Sequence, residues 1–271
     1  MRLTPENIDR FEAEGVLHPV SAITADEAAE GLGRLEAAEA ARAGRLPPSL
    51  NAKPHLLLPW FWDLVHDPRI VDPVEDLLGP DLLCWGTSFI SKKGRDGRYV
   101  SWHQDATHWG LSEPRAVTAW IALTASTRAN GCVQMIPGSH RLIRPHADNR
   151  DPANLLGRRE AVQDGAEIEA PAVDIELRPG EMSLHHVLVV HGSGPNPSSD
   201  RRVGFAIRYI PGHVQQRGKV PPSATLVRGR NHADFELERA PEGDFHPAAL
   251  ARHADVLRRG MGVIYADTDQ T

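Results

Sequence analysis

Four His-x-Asp tripeptides are the residues of this chain whose spacing best suits a metal site. In an extended strand, residues i and i+2 project from the same face, so one tripeptide can supply two metal ligands. The four pairs are His103/Asp105, His146/Asp148, His232/Asp234 and His253/Asp255. Because the chain contains 14 histidines, such a tripeptide arises easily by chance, and the sequence around each pair must decide between them.

The surrounding sequence favours His103 and Asp105. His103 ends an extended run over residues 98–102, and an apolar strand pattern over residues 116–124 follows after a short loop. The His146 pair lies in a polar loop, and the His232 pair lies in sequence without a strand pattern. The His253 pair lies in a helical tail, where residues i and i+2 do not face each other. We therefore expect His103 and Asp105 to be two ligands of one metal ion.

The third ligand must come from a distant strand, and four histidines are candidates: His185, His186, His191 and His213. His191 follows the apolar run 187–190, predicted as the end of a strand, and precedes a Gly-rich turn that lets a cofactor approach closely. Two histidines and one carboxylate leave open positions on the metal, as in non-haem Fe(II) oxygenases. A closed zinc site needs four protein ligands, and neither cysteine is spaced to contribute.

An iron site that uses 2-oxoglutarate also needs a buried cation for the far carboxylate of this co-substrate, preferably an arginine. Arg202 lies at the start of the strand predicted after His191, and the Ser193 hydroxyl can add a hydrogen bond. Arg208 lies on the same strand with the same parity, so strand alternation does not choose between the two arginines. Trp120 suits packing in the core of the β-rich part.

The first 80 residues indicate helices. Thr4-Pro5-Glu6 is a helix start, and Thr24–Glu27 is a capping box that opens a helix to about residue 43. Residues 60–65 and 70–78 predict two shorter helices. The aromatic residues at 60–62 are expected to pack within this helical part.

From residue 81 onward, apolar or alternating runs bounded by turn residues predict strands. These runs cover residues 82–91, 116–124, 133–136, 173–177, 182–190 and 203–210. Strand follows strand without regular helices between them, which excludes a parallel α/β sheet. The pattern predicts an all-β core with helical decoration, a double-stranded β-helix (a cupin-like jelly roll) with the N-terminal helices packed outside.

We predict one domain over residues 1–271. Its parts are a helical N-terminal part (1–80), a jelly-roll core (81–212) and a C-terminal strand and helix extension (213–271). Residues 141–171 are polar and predict a long loop, which would suit a lid.

Composition excludes several classes of partner. The net charge is −6, and no basic tail or stripe is present, so we expect no nucleic-acid partner. No apolar run approaches the roughly 18 residues of a membrane span, and we expect no membrane partner. The two cysteines, Cys84 and Cys132, lie in strand-like sequence, and buried thiols suit a cytoplasmic protein.

Three segments resemble the phytanoyl-CoA dioxygenase family in sequence and in order. They are WHQDATHWGLSEPRAVTAWIALTAST, NGCVQMIPGSH and HGSGPNPSSDRRVGFAIRYIP, and a weaker similarity follows at residues 226–229. The resemblance implies a double-stranded β-helix that uses Fe(II), 2-oxoglutarate and O₂. By motif position it assigns iron to His103, Asp105 and His191, the far carboxylate of 2-oxoglutarate to Arg202 and Ser193, and a place beside the co-substrate to Trp120.

The resemblance also implies the type of reaction. Related halogenases carry a small residue where this chain has Asp105, so the carboxylate favours hydroxylation of an unactivated C–H bond, with release of succinate and CO₂. We expect a small-molecule substrate, such as an anionic alkylphosphonate or a natural-product intermediate. The N-terminal 80 residues do not resemble those of the CoA-ester hydroxylase.

Substrate contacts are expected near the iron motif. The basic segment 91–98, with Lys93, would suit an anion or form a solvated turn, and His108 and Trp109 would line the pocket. Two alternatives are a cupin-like metalloenzyme that does not use 2-oxoglutarate and a non-catalytic β-sandwich binding module. Release of succinate separates the first from a dioxygenase, and a metal requirement separates the second.

Overall fold

The computed structural model describes residues 2–156, 160–163, 171–217 and 221–264. The helices are α1 (Pro5–Glu14), α2 (Ala25–Ala40), α3 (Pro48–Asn51), α4 (Pro59–Val65), α5 (Pro68–Leu78) and α6 (Pro247–Ile264). The strands are β1 (Val16–Ser21), β2 (Leu82–Lys92), β3 (Val100–His103), β4 (Val117–Ala122), β5 (Val133–Met135), β6 (His146–Asp148), β7 (Glu160–Val162), β8 (Val173–Ile175), β9 (Glu181–His186), β10 (His191–Ser193), β11 (Arg202–Pro211), β12 (Ser223–Arg228) and β13 (Glu236–Leu237).

Two sheets form the predicted jelly roll. The larger sheet has the order β1-β9-β4-β11-β2-β12-β13, and the smaller has the order β3-β10-β5-β8. All pairs in these two sheets are antiparallel except β12 with β13. The all-β core with helices packed outside is therefore confirmed.

Strand β11 shows how the two faces of the large sheet are used. Its odd-numbered residues, such as Phe205 and Ile207, pack against the N-terminal helices in the main hydrophobic core. Ala206 instead packs against residues of the small sheet. Because successive strand residues alternate between faces, Arg202 and Arg208 project with Ala206 into the space between the sheets. Tyr209 fixes the helical layer, since its hydroxyl donates to the Val65 carbonyl at 2.9 Å.

Local sequence signals placed the helices well. Thr4 caps α1, and its side chain accepts a hydrogen bond from the Asn7 amide. Thr24 and Glu27 form the expected reciprocal capping box of α2, with distances of 3.2 and 2.7 Å. The helices predicted near residues 60–65 and 70–78 are α4 and α5.

The helical reading of residues 1–80 is wrong at β1, which extends the large sheet. Val16 pairs with His185 and Ser21 with Glu181 on β9. The stretch is too short and irregular to reveal its pairing, and the apolar residues Val16 and Leu17 are buried by contacts distant in sequence.

Two further predictions need correction. Residues 187–190 are a buried turn between β9 and β10, so His191 begins a strand rather than following one. Val187, Val189 and Val190 are fully buried, and an apolar run of this kind resembles a strand in sequence. The predicted loop 141–171 also contains the antiparallel pair β6–β7. Its role as a lid stays a prediction, and part of this segment lies outside the described residues.

Within the described ranges, none of the helices combines the length and the apolar character needed to cross a membrane.

Candidate metal centre

His103 and His191 face each other across two neighbouring strands of the small sheet. They are register partners in the β3–β10 pair, and their ring centroids lie 4.1 Å apart. Asp105 opens the short 3₁₀ helix Asp105–His108 directly after β3. Its Oδ1 atom lies 3.4 Å from His103 Nε2 and 4.0 Å from His191 Nε2. The three ligand atoms are close enough together to hold one metal ion.

Backbone carbonyls orient both imidazoles. His103 Nδ1 lies 2.8 Å from the Ser101 carbonyl oxygen, and His191 Nδ1 lies 3.0 Å from the Val189 carbonyl oxygen. A carbonyl only accepts hydrogen bonds, so each Nδ1 carries a proton and each Nε2 is the atom that would bind a metal. Metal-binding histidines characteristically have such a partner behind the ring.

Burial and mutual contacts set the protonation states of the three residues. Burial works against ionisation of Asp105, but the hydrogen bond with His103 and the charges of His191 and Arg208 lower its pKa well below the ordinary value. Burial and the neighbouring His103 lower the pKa of His191 to about 4. Burial also acts to lower the pKa of His103, but the hydrogen bond and charge of Asp105 outweigh it and raise that pKa. An ionised carboxylate and a neutral imidazole are the forms that bind metal.

Gln104, between the two ligands of the tripeptide, connects the motif to two other segments, 142–146 and the turn at Leu188. Its side-chain amide donates to the carbonyls of Leu142 and Leu188 at 2.8 and 2.6 Å, and its Oε1 accepts from the Arg144 amide at 2.8 Å. The Gln104 backbone amide donates to His146 Nε2 at 2.8 Å. These contacts fix the backbone from which His103 and Asp105 project. These hydrogen bonds could not be predicted from the sequence, because nothing near Gln104 in the chain indicates its distant partners.

The other histidines considered as ligands are placed elsewhere. His185 is buried, with its ring centroid 5.2 Å from that of His191, and burial and His191 lower its pKa to about 3. The His186 ring centroid lies 5.2 Å from that of His140. His213 is exposed and pairs with Glu113 at 2.8 Å.

Arg202 lies wholly buried beside the metal centre's strands, on the inner face of the large sheet. Its Nη1 donates to the Gly131 carbonyl, while its Nε and Nη2 atoms are buried without a partner among the described residues. A buried guanidinium with unused donors is energetically costly unless an anion completes it. The side chain therefore fits the far carboxylate of 2-oxoglutarate, a group that Arg can bind with two parallel hydrogen bonds. Arg201, in contrast, forms a two-pronged ion pair with Glu39.

Lys92 is a second buried cation beside Arg202, and nothing in its sequence context predicts this position. It is the register partner of Arg202, and its Nζ donates to the carbonyls of Ser193 and Gly194. Burial and the charge of Arg202 lower the pKa of Lys92 to about 7. Lys92 thus connects the two predicted co-substrate residues, because it pairs with Arg202 across the strands and donates to the Ser193 carbonyl. Ser193 is buried, as the predicted co-substrate role requires.

Trp120 lies over the inner face of β11. Its ring is 5.5 Å from the Arg202 guanidinium carbon. Gly204 makes room for this ring, since a Cβ atom built at position 204 would lie 2.1 Å from the indole. Trp120 therefore packs between the sheets and also lies beside Arg202. Core packing and a place beside the co-substrate are thus compatible roles for this residue.

The segment NGCVQMIPGSH forms turns that are fixed by hydrogen bonds and close backbone contacts. Asn130 accepts a hydrogen bond from the Thr127 amide and donates to the Ala125 carbonyl. Gly131 has a positive φ of 70°, and a Cβ there would lie 2.5 Å from the Pro195 carbonyl oxygen. Ser139 accepts a hydrogen bond from the Val190 amide at 2.8 Å, which fixes the backbone directly before His191.

The residues predicted to contact substrate are separated by the fold. Trp109 stacks on Trp85, with ring centroids 4.4 Å apart. Lys93 is exposed at the end of β2, on the turn that the basic segment forms. His108 belongs to the helix Asp105–His108 by its backbone, and its side chain lies outside the described part of the structure.

Comparison with known proteins identifies the family. The sequence profile of the phytanoyl-CoA dioxygenase family matches residues 11–204. The chain belongs to this family. A probable phytanoyl-CoA dioxygenase of Caenorhabditis elegans is 28% identical over 159 residues, which are 56% of this chain and 51% of that protein. The chain spans about half the length of the curated relatives it matches first.

Solved structures resemble the chain over nearly its whole length. The apo form of the non-heme monooxygenase ThoJ is 37% identical, covers 96% of this chain and 97% of its own, and superposes with a TM-score of 0.84. The nickel complex of ThoJ is 36% identical, covers 96% and 99%, and has a TM-score of 0.80. The family and the jelly-roll fold predicted from the sequence are therefore confirmed.

Proposed function

We propose that this protein is an Fe(II)- and 2-oxoglutarate-dependent dioxygenase that hydroxylates a C–H bond of a small molecule. His103, Asp105 and His191 would hold the iron. Arg202, with Ser193 and Trp120, would hold the co-substrate. When bound, iron, 2-oxoglutarate and O₂ supply the oxidising chemistry, in which the co-substrate is converted to succinate and CO₂ and one oxygen atom enters the substrate.

The observation that carries this proposal is the pairing of a three-ligand site with an unsatisfied buried arginine. Two imidazoles and one carboxylate converge with Nε2–Oδ1 distances of 3.4 and 4.0 Å. The Arg202 guanidinium is also buried, and two of its nitrogen atoms have no hydrogen-bond partner among the described residues. A metal site that does not use an anionic co-substrate gives no reason to bury that charge. The nickel complex of the relative ThoJ supports a metal-binding role for the fold.

The side chains of the site would orient and desolvate the reactants. The Ser101 and Val189 carbonyls fix the two imidazoles, so both Nε2 atoms would hold a metal together with the Asp105 carboxylate. The negative charge of Asp105 would offset part of the metal's charge. Arg202 and Lys92 place positive charge where the far carboxylate of 2-oxoglutarate would bind, and this charge would fix the direction in which the dicarboxylate lies.

Substrate-free conversion of 2-oxoglutarate to succinate tests the proposal. Purified protein reconstituted with Fe(II) under air should form succinate, and His191→Ala and Asp105→Ala should abolish it because each removes a metal ligand. His213→Ala is the matched control, since His213 is exposed and pairs with Glu113. Wild-type turnover in His191→Ala would refute the ligand assignment. Fe(II) binding without succinate formation would favour a cupin-like enzyme that does not use 2-oxoglutarate.

A further inference from the structure

A cavity lies next to Arg208, on the face of the large sheet that carries this residue. Its volume is about 650 Å³, and its walls come from β2, β11, the α3 region and the C-terminal extension. Arg208, Trp85, Gln216 and Val256 are among the lining residues. The family profile ends at residue 204, so three of these four residues lie beyond the part of the chain that the family defines.

Two structural connections join this cavity to the metal ligands. Arg208 pairs with Thr118 on β4, and Thr118 pairs with His185 on β9, so Arg208 and His185 lie two strand spacings, or about 10 Å, apart on one sheet. The His185 ring contacts that of His191. On the other side, Trp109 directly follows the helix that begins with Asp105, and it stacks on Trp85 in the cavity wall.

The aromatic wall is fixed in place. Trp85 and Trp109 are nearly parallel, with an interplanar angle of 19°. Gln216 joins them, because its Oε1 accepts from Trp85 Nε1 at 3.1 Å and its Nε2 donates to the Trp109 carbonyl at 2.8 Å. The Arg208 guanidinium carbon lies 5.7 Å from the Trp109 ring centroid. A rigid apolar surface with one adjacent cation is thus present before any ligand binds.

In the described part of the cavity wall, one cation is left without a carboxylate partner. Lys53 also lines the cavity, but its Nζ forms an ion pair with the buried Glu238. Arg208 donates to the Ser88 hydroxyl at 3.0 Å, and no carboxylate pairs with it among the described residues. The described lining residues include no acidic side chain. Among the described lining residues, Arg208 is therefore the one cation without a carboxylate partner, and a single positive charge matches a monoanion better than a dianionic phosphate or phosphonate.

We propose that this cavity binds the primary substrate, and that the substrate is an organic monocarboxylate with an apolar body. Its carboxylate would bind Arg208, and its body would lie along Trp85 and the apolar residues of the C-terminal extension. The inference rests on the proposed oxygenase function only for what happens to the substrate; binding itself needs no metal. It replaces the anion site predicted at Lys93 by one that faces the cavity.

Binding of phenylalkanoates to the metal-free full-length protein tests the inference independently of turnover. Calorimetric titration with 3-phenylpropionate, its longer homologues and the matching amides would compare wild type with Arg208→Gln, Arg208→Lys and Arg230→Gln. We expect at least one carboxylate to bind wild type and to lose about tenfold to a hundredfold in affinity in Arg208→Gln, as for loss of a charged hydrogen bond. Arg208→Lys should retain part of the affinity, and the amides should bind weakly to all proteins.

Arg230→Gln is the control because Arg230 is exposed and away from the cavity lining. Three results would overturn the inference: no carboxylate of the series binds folded wild type, affinity is equal in folded Arg208→Gln, or phenylphosphonate binds wild type more tightly than the carboxylates. Loss of 2-oxoglutarate binding in Arg208→Gln would also overturn it, by assigning Arg208 to the co-substrate. Failure of succinate formation with intact carboxylate binding would instead contradict the proposed function alone.

Discussion

At the residue scale, the metal ligands depend on hydrogen bonds from residues that do not touch the metal. Gln104 is fully buried and makes three side-chain hydrogen bonds to segments on either side of the site. Groups that orient metal ligands contribute strongly to affinity, because a ligand that moves must be ordered again on binding.

Gln104→Ala should weaken metal binding by about tenfold to a hundredfold, the usual effect of removing a supporting partner. Competition with a chromophoric chelator for Co(II) would measure the affinity, and circular dichroism would verify the fold. Gln215→Ala is the matched control, because Gln215 is exposed. Unchanged Co(II) affinity in folded Gln104→Ala would show that the backbone alone fixes the ligands.

A buried polar cluster beside the Arg208 cavity predicts how the stability of the fold depends on pH. Glu238 accepts hydrogen bonds from Ser223 and Thr225 at 2.8 Å and pairs with Lys53. Burial alone would raise the pKa of Glu238, but the charge of Lys53 and the hydrogen bond with His55 lower it to about 2. The folded-state pKa therefore lies below the unfolded value, and the ionised group stabilises the fold above about pH 4.5.

This contribution should be lost as the pH falls from about 4.5 towards 2, and it amounts to at most about 3 kcal/mol. Urea unfolding of wild type and Glu238→Gln between pH 7 and pH 3 would show it as a stability difference that shrinks on acidification. Glu36→Gln serves as the control, since Glu36 is exposed. A difference that stays constant with pH would contradict the shifted pKa.

At the scale of elements, the segment 142–146 and strand β6 support β3. His146 belongs to a His-x-Asp pair that the sequence excluded as a ligand, yet its Nε2 accepts the Gln104 amide at 2.8 Å. Its Nδ1 lies 2.8 Å from the Arg144 carbonyl oxygen, which fixes the tautomer. Asn154 adds a hydrogen bond to the Ser101 hydroxyl at 2.9 Å.

His146→Ala should lower the free energy of unfolding by about 1–3 kcal/mol, because a buried backbone amide loses its acceptor. It should also weaken Co(II) binding, since that amide belongs to the residue between two ligands. His232→Ala provides the comparison, as His232 comes from another His-x-Asp pair but is half-exposed beside Asp81. Equal stability and Co(II) affinity in the two variants would remove His146 from the support of the site.

The sequence predicted those elements whose signal is local. Thr24 and Glu27 begin α2 by contacts within one turn, and the alternation in β4 and β11 follows from a sheet with two different faces. His103 and His191 could be predicted as ligands because each lies where an extended or apolar run gives way to a loop or a Gly-rich turn. Strand β1 could not be predicted, because its stability comes from pairing with a strand more than 160 residues away. Residues 187–190 were wrongly predicted as part of a strand for the opposite reason. Their apolar character reflects burial of a turn and not an extended conformation.

At the scale of the whole molecule, both ends of the chain enter one sheet. Strand β1 from the N-terminal part and β12 from the C-terminal extension lie in the same seven-stranded sheet as the core strands. Glu238, which follows β13, completes the buried contacts of Lys53 and His55. We therefore propose that residues 1–271 form a single domain, with the parts predicted from sequence joined by shared strands.

A single domain should unfold in one cooperative transition. Differential scanning calorimetry of the metal-free protein should give one peak with equal calorimetric and van't Hoff enthalpies. Added Ni(II) should move the whole peak to higher temperature, because a ligand that binds only the native state stabilises all of it. Two separable peaks, with only one moved by Ni(II), would contradict the single domain.

The measurement that tests the central claim most directly is the anaerobic titration of the Fe(II) protein with 2-oxoglutarate, followed by visible charge-transfer absorption. We expect a band in wild type and in Arg201→Ala, because the Arg201 guanidinium already pairs with Glu39. In Arg202→Ala the band should require at least about tenfold more 2-oxoglutarate, because the charged hydrogen bonds to the far carboxylate are lost. Absence of the band in folded, iron-loaded wild type, or equal affinity in Arg202→Ala, would contradict the assignment.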